Sequence, residues 1–357
     1  LSLRRQRQMC IRDSDKRARI IDEGGQAYPV DLLRDHTLKQ IREKYTDEAG
    51  ELTLEVGEEV PDDVVTIGGR VMFLRNTGKL CFTSLQDGFT ESSNGERLQV
   101  MLSKALVGEQ ALAAWKSDVD LGDFVWVKGF VARSRRGELS VMATEWKMAS
   151  KALRPLPTLH KELGEETRVR RRYADLVARE EARQMVRVRA AITRAIRTTL
   201  DELGFLEIET PILQLVHGGA AARPFNTHLN AFDIGMSLRI ALELYLKRAM
   251  VGGMDRVYEM GRVFRNEGID SNHSAEFTML EAYMSWGNQF TIAEVIQQII
   301  VRAADALGGR QIQTEQGVID LDGQWEWVHV HPELSRRLGR EILSLIHISE
   351  PTRLLSI

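Results

Sequence analysis

Between residues 64 and 143, apolar side chains recur at alternate positions in five runs, at 64–73, 80–87, 98–102, 124–131 and 138–143. A period of two marks a strand with one face buried and the other exposed. Residues 104–116, between the third and fourth runs, follow a helical period instead. Three strands, a helix and two strands is the order of an OB-fold barrel, and a generic five-stranded barrel fits the pattern equally well. Ahead of it, residues 15–60 predict a short charged helix, turns at Gly24-Gly25 and Pro29, and a second helix from Asp35 to Tyr45.

After the barrel, Leu153-Arg154-Pro155-Leu156-Pro157 predicts a stiff linker, because proline fixes φ and favours extended chain before it. Arg168 to Arg197 reads as one long helical pattern with ten arginines against Asp175, Glu180 and Glu181. Such a run is commonly a solvated helix face, and beside a nucleic-acid barrel it is also a candidate for phosphate contact. Strand alternation then places Tyr258, Met260 and Phe264 on one face, and Glu259, Gly261, Arg265 and Glu267 on the other. A loop at 268–274 reverses the chain, and Phe277, Met279, Glu281 and Tyr283 share a face of the return strand. An arginine, two glutamates, a phenylalanine and a tyrosine thus converge on one surface of an antiparallel hairpin. Paired charges on an exposed hairpin would give the same spacing.

The two ends break the pattern. Residues 1–14 show no helical or strand period, and 344–357 follow abruptly on the helical stretch from Leu334 to Ile342. Both resemble translated sequencing-adapter sequence and are expected to be non-native extensions. The 357-residue length leaves room for two cores. With 43% hydrophobic and 28% charged residues the chain has an ordinary globular composition. A net charge of −3 means that any contact with an acidic polymer must come from local patches. Cys10 and Cys81 alone make neither a disulfide framework nor a zinc site. With no long apolar run and no signal peptide, a cytoplasmic protein is expected.

Phe264-Arg265-Asn266-Glu267, His273, Phe277 and Glu281 resemble motif 2 of the class II aminoacyl-tRNA synthetases, and the stretch from Leu203 to Leu213 resembles motif 1. The stretches 218–228, 238–248 and 276–284 are similar to the lysyl-tRNA synthetases, as is the linker at 151–157. Relatives specific for aspartate or asparagine carry a Ser-Pro-Gln element where this chain has Arg239 to Glu243. Leu242 departs from the family's proline, which is expected to affect only a helix start.

The resemblance implies an α+β chain: N-terminal helices and an OB-fold anticodon-binding domain at 15–150, a linker at 151–164, and an incomplete class II core of antiparallel sheet and helices, with motifs 1 and 2, at 165–343. It implies ATP-dependent activation of lysine and transfer to tRNA(Lys), with Mg2+ as cofactor and a homodimer formed through motif 1. In-line attack of a carboxylate on the α-phosphate brings two anions together, so positioning and charge neutralisation carry the chemistry. Arg265 suits this because a guanidinium binds two oxygens at once. By resemblance, Arg265, Glu267, His273 and Phe277 bind ATP, while Gly219, Glu243, Arg265, Glu281 and Tyr283 bind lysine. Arg70, Phe82 and Gln99 contact the anticodon. The family's magnesium-binding acids fall beyond residue 342, so no metal ligand is assigned and the chain by itself is expected to be inactive. The alternatives are a tRNA-binding paralogue and the synthetase domain of a larger lysyltransferase.

Overall fold

A computed structural model of the chain describes residues 3–156, 163–270, 272–323 and 325–342, with side chains from residue 10 onward. The expected tail at 344–357, Pro157 of the linker and Ser271 of the hairpin loop lie outside the described residues. Two compact units divide the chain, Leu1–Ala191 and Ile192–Ile357. Among the described residues no helix is long and apolar enough to cross a membrane.

The first unit begins with helix α1, Leu3–Asp22. The expected short helix from residue 15 therefore starts twelve residues earlier, at a stretch without apolar period. Charge explains its docking: Lys16 Nζ lies 2.7 Å from Asp120 Oδ2, Arg12 reaches the same carboxylate at 3.0 Å, and Arg19 pairs with Asp118. Burial pushes the Asp120 carboxyl up, but hydrogen bonds from Lys151 and Lys16 outweigh it and hold the group below its ordinary range. Helix α2, Leu38–Lys44, is shorter than expected because Thr37 caps it and forms a reciprocal capping box with Gln40.

The five alternating runs become strands β1 (Glu59–Thr77), β2 (Leu80–Gln86), β3 (Arg97–Ser103), β4 (Phe124–Arg133) and β5 (Leu139–Ser150). Helices α3 (Lys104–Val107) and α4 (Glu109–Asp118) separate β3 from β4. The strands close a barrel in the order β1-β2-β3-β5-β4. β3 and β5 run parallel and the other pairs antiparallel, which is the OB-fold arrangement. Ile67, Val71, Leu85, Val100, Val127 and Val141 fill its centre with Trp115 of α4.

One irregularity in β1 matters for the barrel's outer face. Val65, Ile67, Gly69 and Val71 point inward in strict alternation, but Met72 is buried as well, and the pairing with β2 shifts register between Val71 and Phe73. This β-bulge reverses the facing of every residue after it. Phe73 turns outward and is 54% exposed.

The single long helix expected over Arg168 to Arg197 is instead three: α5 (Glu165–Arg170), α6 (Arg172–Ala178) and α7 (Glu180–Glu202). Buried Asp175 takes both Arg172 and Arg179, at 2.7 and 3.2 Å. Buried Arg183 donates to the carbonyls of Leu176, Val177 and Arg179 at the end of α6, and to that of Asn94. Arg187 donates to the Glu91 carbonyl. These arginines hold the fold rather than presenting a free row to phosphates, which corrects that reading for them.

In the second unit, β6 (Leu206–Glu207), β7 (Leu213–Gln214), β8 (Asn226–Leu229) and β9 (Ile234–Leu238) lead into helix α8, Glu243–Val251. The hairpin strands are β10 (Arg256–Phe264) and β11 (Glu276–Met284), followed by α9 (Gln289–Asp305), β12 (Gln311–Thr314), β13 (Gly317–Asp320) and α10 (Val330–Leu338). The sheets run β11-β10-β6, β7-β9-β8 and β12-β13. Antiparallel pairing dominates, and β6 lies parallel to β10. The expected helix to Ile342 ends at Leu338, because Gly339 adopts φ +64 and terminates it.

Candidate active site and nucleic-acid face

The hairpin register pairs Glu259 with Glu281, Gly261 with Met279 and Val263 with Phe277. Odd-numbered residues of both strands therefore share one face, as the alternation predicted. Arg265 follows directly on β10, its backbone N–H bonded to the Ala275 carbonyl. Its guanidinium lies over the Phe277 ring, 5.3 Å from the centroid, and Nε donates to the Ile240 carbonyl at 3.3 Å. Phe277 is half-buried, packed against Leu242, Leu246, Val257 and Val263.

The remaining candidate groups gather on the segment 239–243. Glu281 accepts a hydrogen bond from the Leu242 N–H at 2.9 Å through Oε1, and one from the Tyr283 hydroxyl at 2.8 Å through Oε2. Burial raises the Tyr283 hydroxyl well above its usual pKa, and the bond to Glu281 adds to the shift. Gly219 adopts φ +87, and a Cβ there would stand 2.9 Å from Glu243 Cβ and 3.1 Å from Ala241 Cβ. Only glycine permits both the conformation and that approach. Glu243, the first residue of α8, accepts from Lys247 Nζ at 2.7 Å, and that ammonium also lies 5.9 Å from the Tyr283 ring centroid. A cation thus already sits beside two of the residues expected to bind lysine.

The N–H that Leu242 gives to Glu281 is one that proline lacks. The departure at Leu242 therefore reaches a candidate site residue, which corrects the expectation that it bears on the helix start alone. Beneath the segment lies a buried ion pair that sequence reading missed. Arg239 Nη1 is 2.7 Å from Glu259 Oε1, with side chains 3% and 5% exposed. Arg239 also donates to the carbonyls of Arg262 and Thr210, while the Thr210 hydroxyl donates to Glu259 Oε2 at 2.5 Å. Gly261 makes room for it, since a Cβ there would lie well inside contact distance of the Arg239 guanidinium. An arginine and a glutamate on either side of helix α8 were legible as charges but not as partners.

Glu267 and His273 stand apart from this cluster, on the exposed hairpin loop. Glu267 accepts from the Arg223 N–H at 3.2 Å, and Asn266 donates to the Arg223 carbonyl at 2.8 Å. His273 Nδ1 lies 2.8 Å from Asp270 Oδ2. The backbone N–H of Asn272, and then His273, hold the Asp270 carboxyl below its usual range. Among the described residues, no three or more His, Cys, Asp or Glu side chains group to hold a metal ion. No magnesium ligand is therefore assigned among the described residues, and no step is derived through one.

On the barrel, Phe82 and Gln99 line an open groove of about 900 Å³ with Phe73, Arg75, Met101, Arg133, Arg135 and Arg136 among its walls. Gln99 Nε2 donates to Ser140 Oγ at 2.9 Å, which fixes its amide. Phe82 is half-exposed rather than a core residue. Arg70 lies on the same barrel but is not among the residues lining this groove. It stacks on Phe124 at 4.3 Å and donates to the Gly122 carbonyl, and burial lowers its pKa.

Residues 164–341 match the family of tRNA synthetases class II (D, K and N), and 65–149 match the OB-fold nucleic acid binding domain. A lysine–tRNA ligase of Kineococcus radiotolerans is 55% identical over 330 residues, covering 92% of this chain and 64% of that protein. One from Mycobacterium bovis is 54% identical over 92% of this chain and 63% of its own length. The lysylphosphatidylglycerol biosynthesis bifunctional protein of Rhodococcus jostii is 39% identical over 95% of this chain and 29% of its own length. The chain thus spans less than two thirds of the ligases it matches. It belongs to the class II tRNA synthetases, with an OB-fold nucleic-acid-binding domain ahead of the synthetase core.

Proposed function

We propose that this chain forms the anticodon-binding barrel and the first part of the catalytic core of a lysine–tRNA ligase. The supporting observation is the gathering of Arg265, Phe277, Glu281, Tyr283, Glu243 and Gly219 around segment 239–243. A carboxylate oxygen of lysine attacks the α-phosphorus of ATP, and the bond to pyrophosphate breaks with its electron pair leaving on pyrophosphate. A hydroxyl of the tRNA terminus then attacks the adenylate carbonyl and AMP departs. Arg265, anchored by Nε to Ile240, turns its terminal nitrogens to the carboxylate and α-phosphate, and neutralises charge that builds between them. Phe277 offers its ring to adenine, Glu267 accepts from the adenine amino group, and His273 meets the outer phosphates. Glu243 takes the α-ammonium beside the Gly219 carbonyl, displacing Lys247. Tyr283 and Glu281 line the path of the side chain. Mg2+, a homodimer and a cytoplasmic setting belong to the same proposal.

Pyrophosphate exchange into ATP by the intact protein tests the reading. Exchange is expected with lysine alone among lysine, aspartate and asparagine, and exchange driven by either of the others would overturn it. Identity to the Rhodococcus protein is lower than to the ligases, 39% against 55%. Transfer of the activated lysine on to phosphatidylglycerol by the intact protein, in addition to lysine-dependent exchange, would favour the larger lysyltransferase instead.

A further inference from the structure

We infer that Phe73 is a second base-stacking platform, so that the barrel groove holds two consecutive unpaired nucleotides on two separate rings. The inference rests on the reading of the barrel as an RNA-binding face. Phe73 points outward from the barrel with 54% of its surface exposed. It lines the same groove as Phe82. Pairing between β1 and β2 sets Phe73 opposite Ser84, and Phe82 opposite Arg75. Phe73 and Phe82 are thus diagonal neighbours across two antiparallel strands, roughly 7–8 Å apart at the backbone. Stacked bases in a strand rise only ~3.4 Å. Two bases on these rings must therefore leave each other and stack on protein instead, as recognition of single-stranded RNA loops requires.

The surrounding groups fit that ligand. Pairing carries the Phe73 row through Ser84 to Gln99, and the Phe82 row through Met101 to Met142. A fixed amide thus serves the first row, and methionines pad the second. Exposed Arg75, Arg135 and Arg136 stand at the rim, where phosphates would pass. The bulge is pinned rather than loose, because the Thr83 hydroxyl donates to the Phe73 carbonyl at 2.8 Å. A strand without the bulge would bury this ring, so the bulge is what creates the platform.

The test is fluorescence anisotropy of the purified chain with a labelled RNA hairpin carrying a UUU loop. Phe73→Ala is expected to weaken binding by about tenfold, and Phe82→Ala by a similar factor, given ~1–3 kcal/mol per stacked base. Phe73→Trp should retain affinity, because it keeps a π-face. The slope of affinity against salt should be the same in Phe73→Ala as in the parent, since no phosphate contact is removed. Unchanged binding in Phe73→Ala beside weakened binding in Phe82→Ala would overturn the second platform and leave the RNA face standing. Unchanged binding in both would remove the RNA-face reading itself. Far-ultraviolet circular dichroism of each variant separates lost binding from lost folding.

Discussion

Replacing Arg239 by methionine should cost the second unit more than any other single change at the candidate site. The side chain is 3% exposed and donates to Glu259, to the Thr210 and Arg262 carbonyls, and to the Thr210 hydroxyl. Methionine fills similar volume but leaves the Glu259 carboxylate buried with Thr210 as its remaining partner. Breaking a buried pair from one side typically costs ~3–5 kcal/mol, because an uncompensated charge remains. For a unit of this size each kcal/mol shifts Tm by roughly 2–4 °C, so the loss should be about 6–20 °C. Calorimetry gives the shift, and amide exchange of β10 localises it. The double variant Arg239→Met/Glu259→Leu should recover part of the loss, since the stranded charge is gone. A single variant within ~1 kcal/mol of the parent, or a double variant no better than the single, would refute the reasoning. The functional consequence follows from the backbone, because the Arg239 carbonyl accepts from Phe264 N–H at 2.9 Å, one residue before Arg265.

In the intact protein, Arg265→Lys should lower the exchange rate by about 10²–10³, since an ammonium cannot fork between carboxylate and phosphate; a loss below ~tenfold would argue against its bridging role. Leu242→Pro deletes the N–H that holds Glu281 Oε1. Proline is tolerated at a helix start, so α8 should persist while half-saturation by lysine weakens about 2–10-fold; an unchanged lysine dependence would show that the bond is idle. Tyr258 donates to Asp201 at 3.0 Å, and burial, then that bond, raises its pKa above the ordinary 10.0. Its contribution is complete below pH ~10 and is lost as pH rises further, because only the unfolded phenol ionises there. Alkaline unfolding of Tyr258→Phe should be shallower than that of the parent above pH ~10, and identical slopes would refute the assignment.

What the amino-acid sequence determined was whatever depends on near neighbours along the chain. Two-residue alternation marks all five barrel strands, and it places Arg265, Phe277, Glu281 and Tyr283 on one face of a hairpin, because strand geometry repeats every second residue. The motif residues around Phe264 and Phe277 carry enough chemistry to place the chain in its family. Local pattern failed where a single event resets the period. The bulge after Val71 turned Phe73 outward, against the alternation that precedes it. The helix over the arginine-rich stretch broke where buried Asp175 and Arg183 took the backbone and side chains around them. Residues 3–14 joined α1 through charge pairing of its later turns, for which apolar period gives no signal.

The remainder belongs to tertiary structure. Gly219, Glu243, Arg265 and Glu281 are far apart in the chain, and only the crossing of segment 239–243 against the hairpin brings them together. The Arg239–Glu259 pair, the space left by Gly261 and the bond from Leu242 to Glu281 are contacts between such crossings. No periodicity encodes them, because each depends on how separate elements pack rather than on how one element repeats.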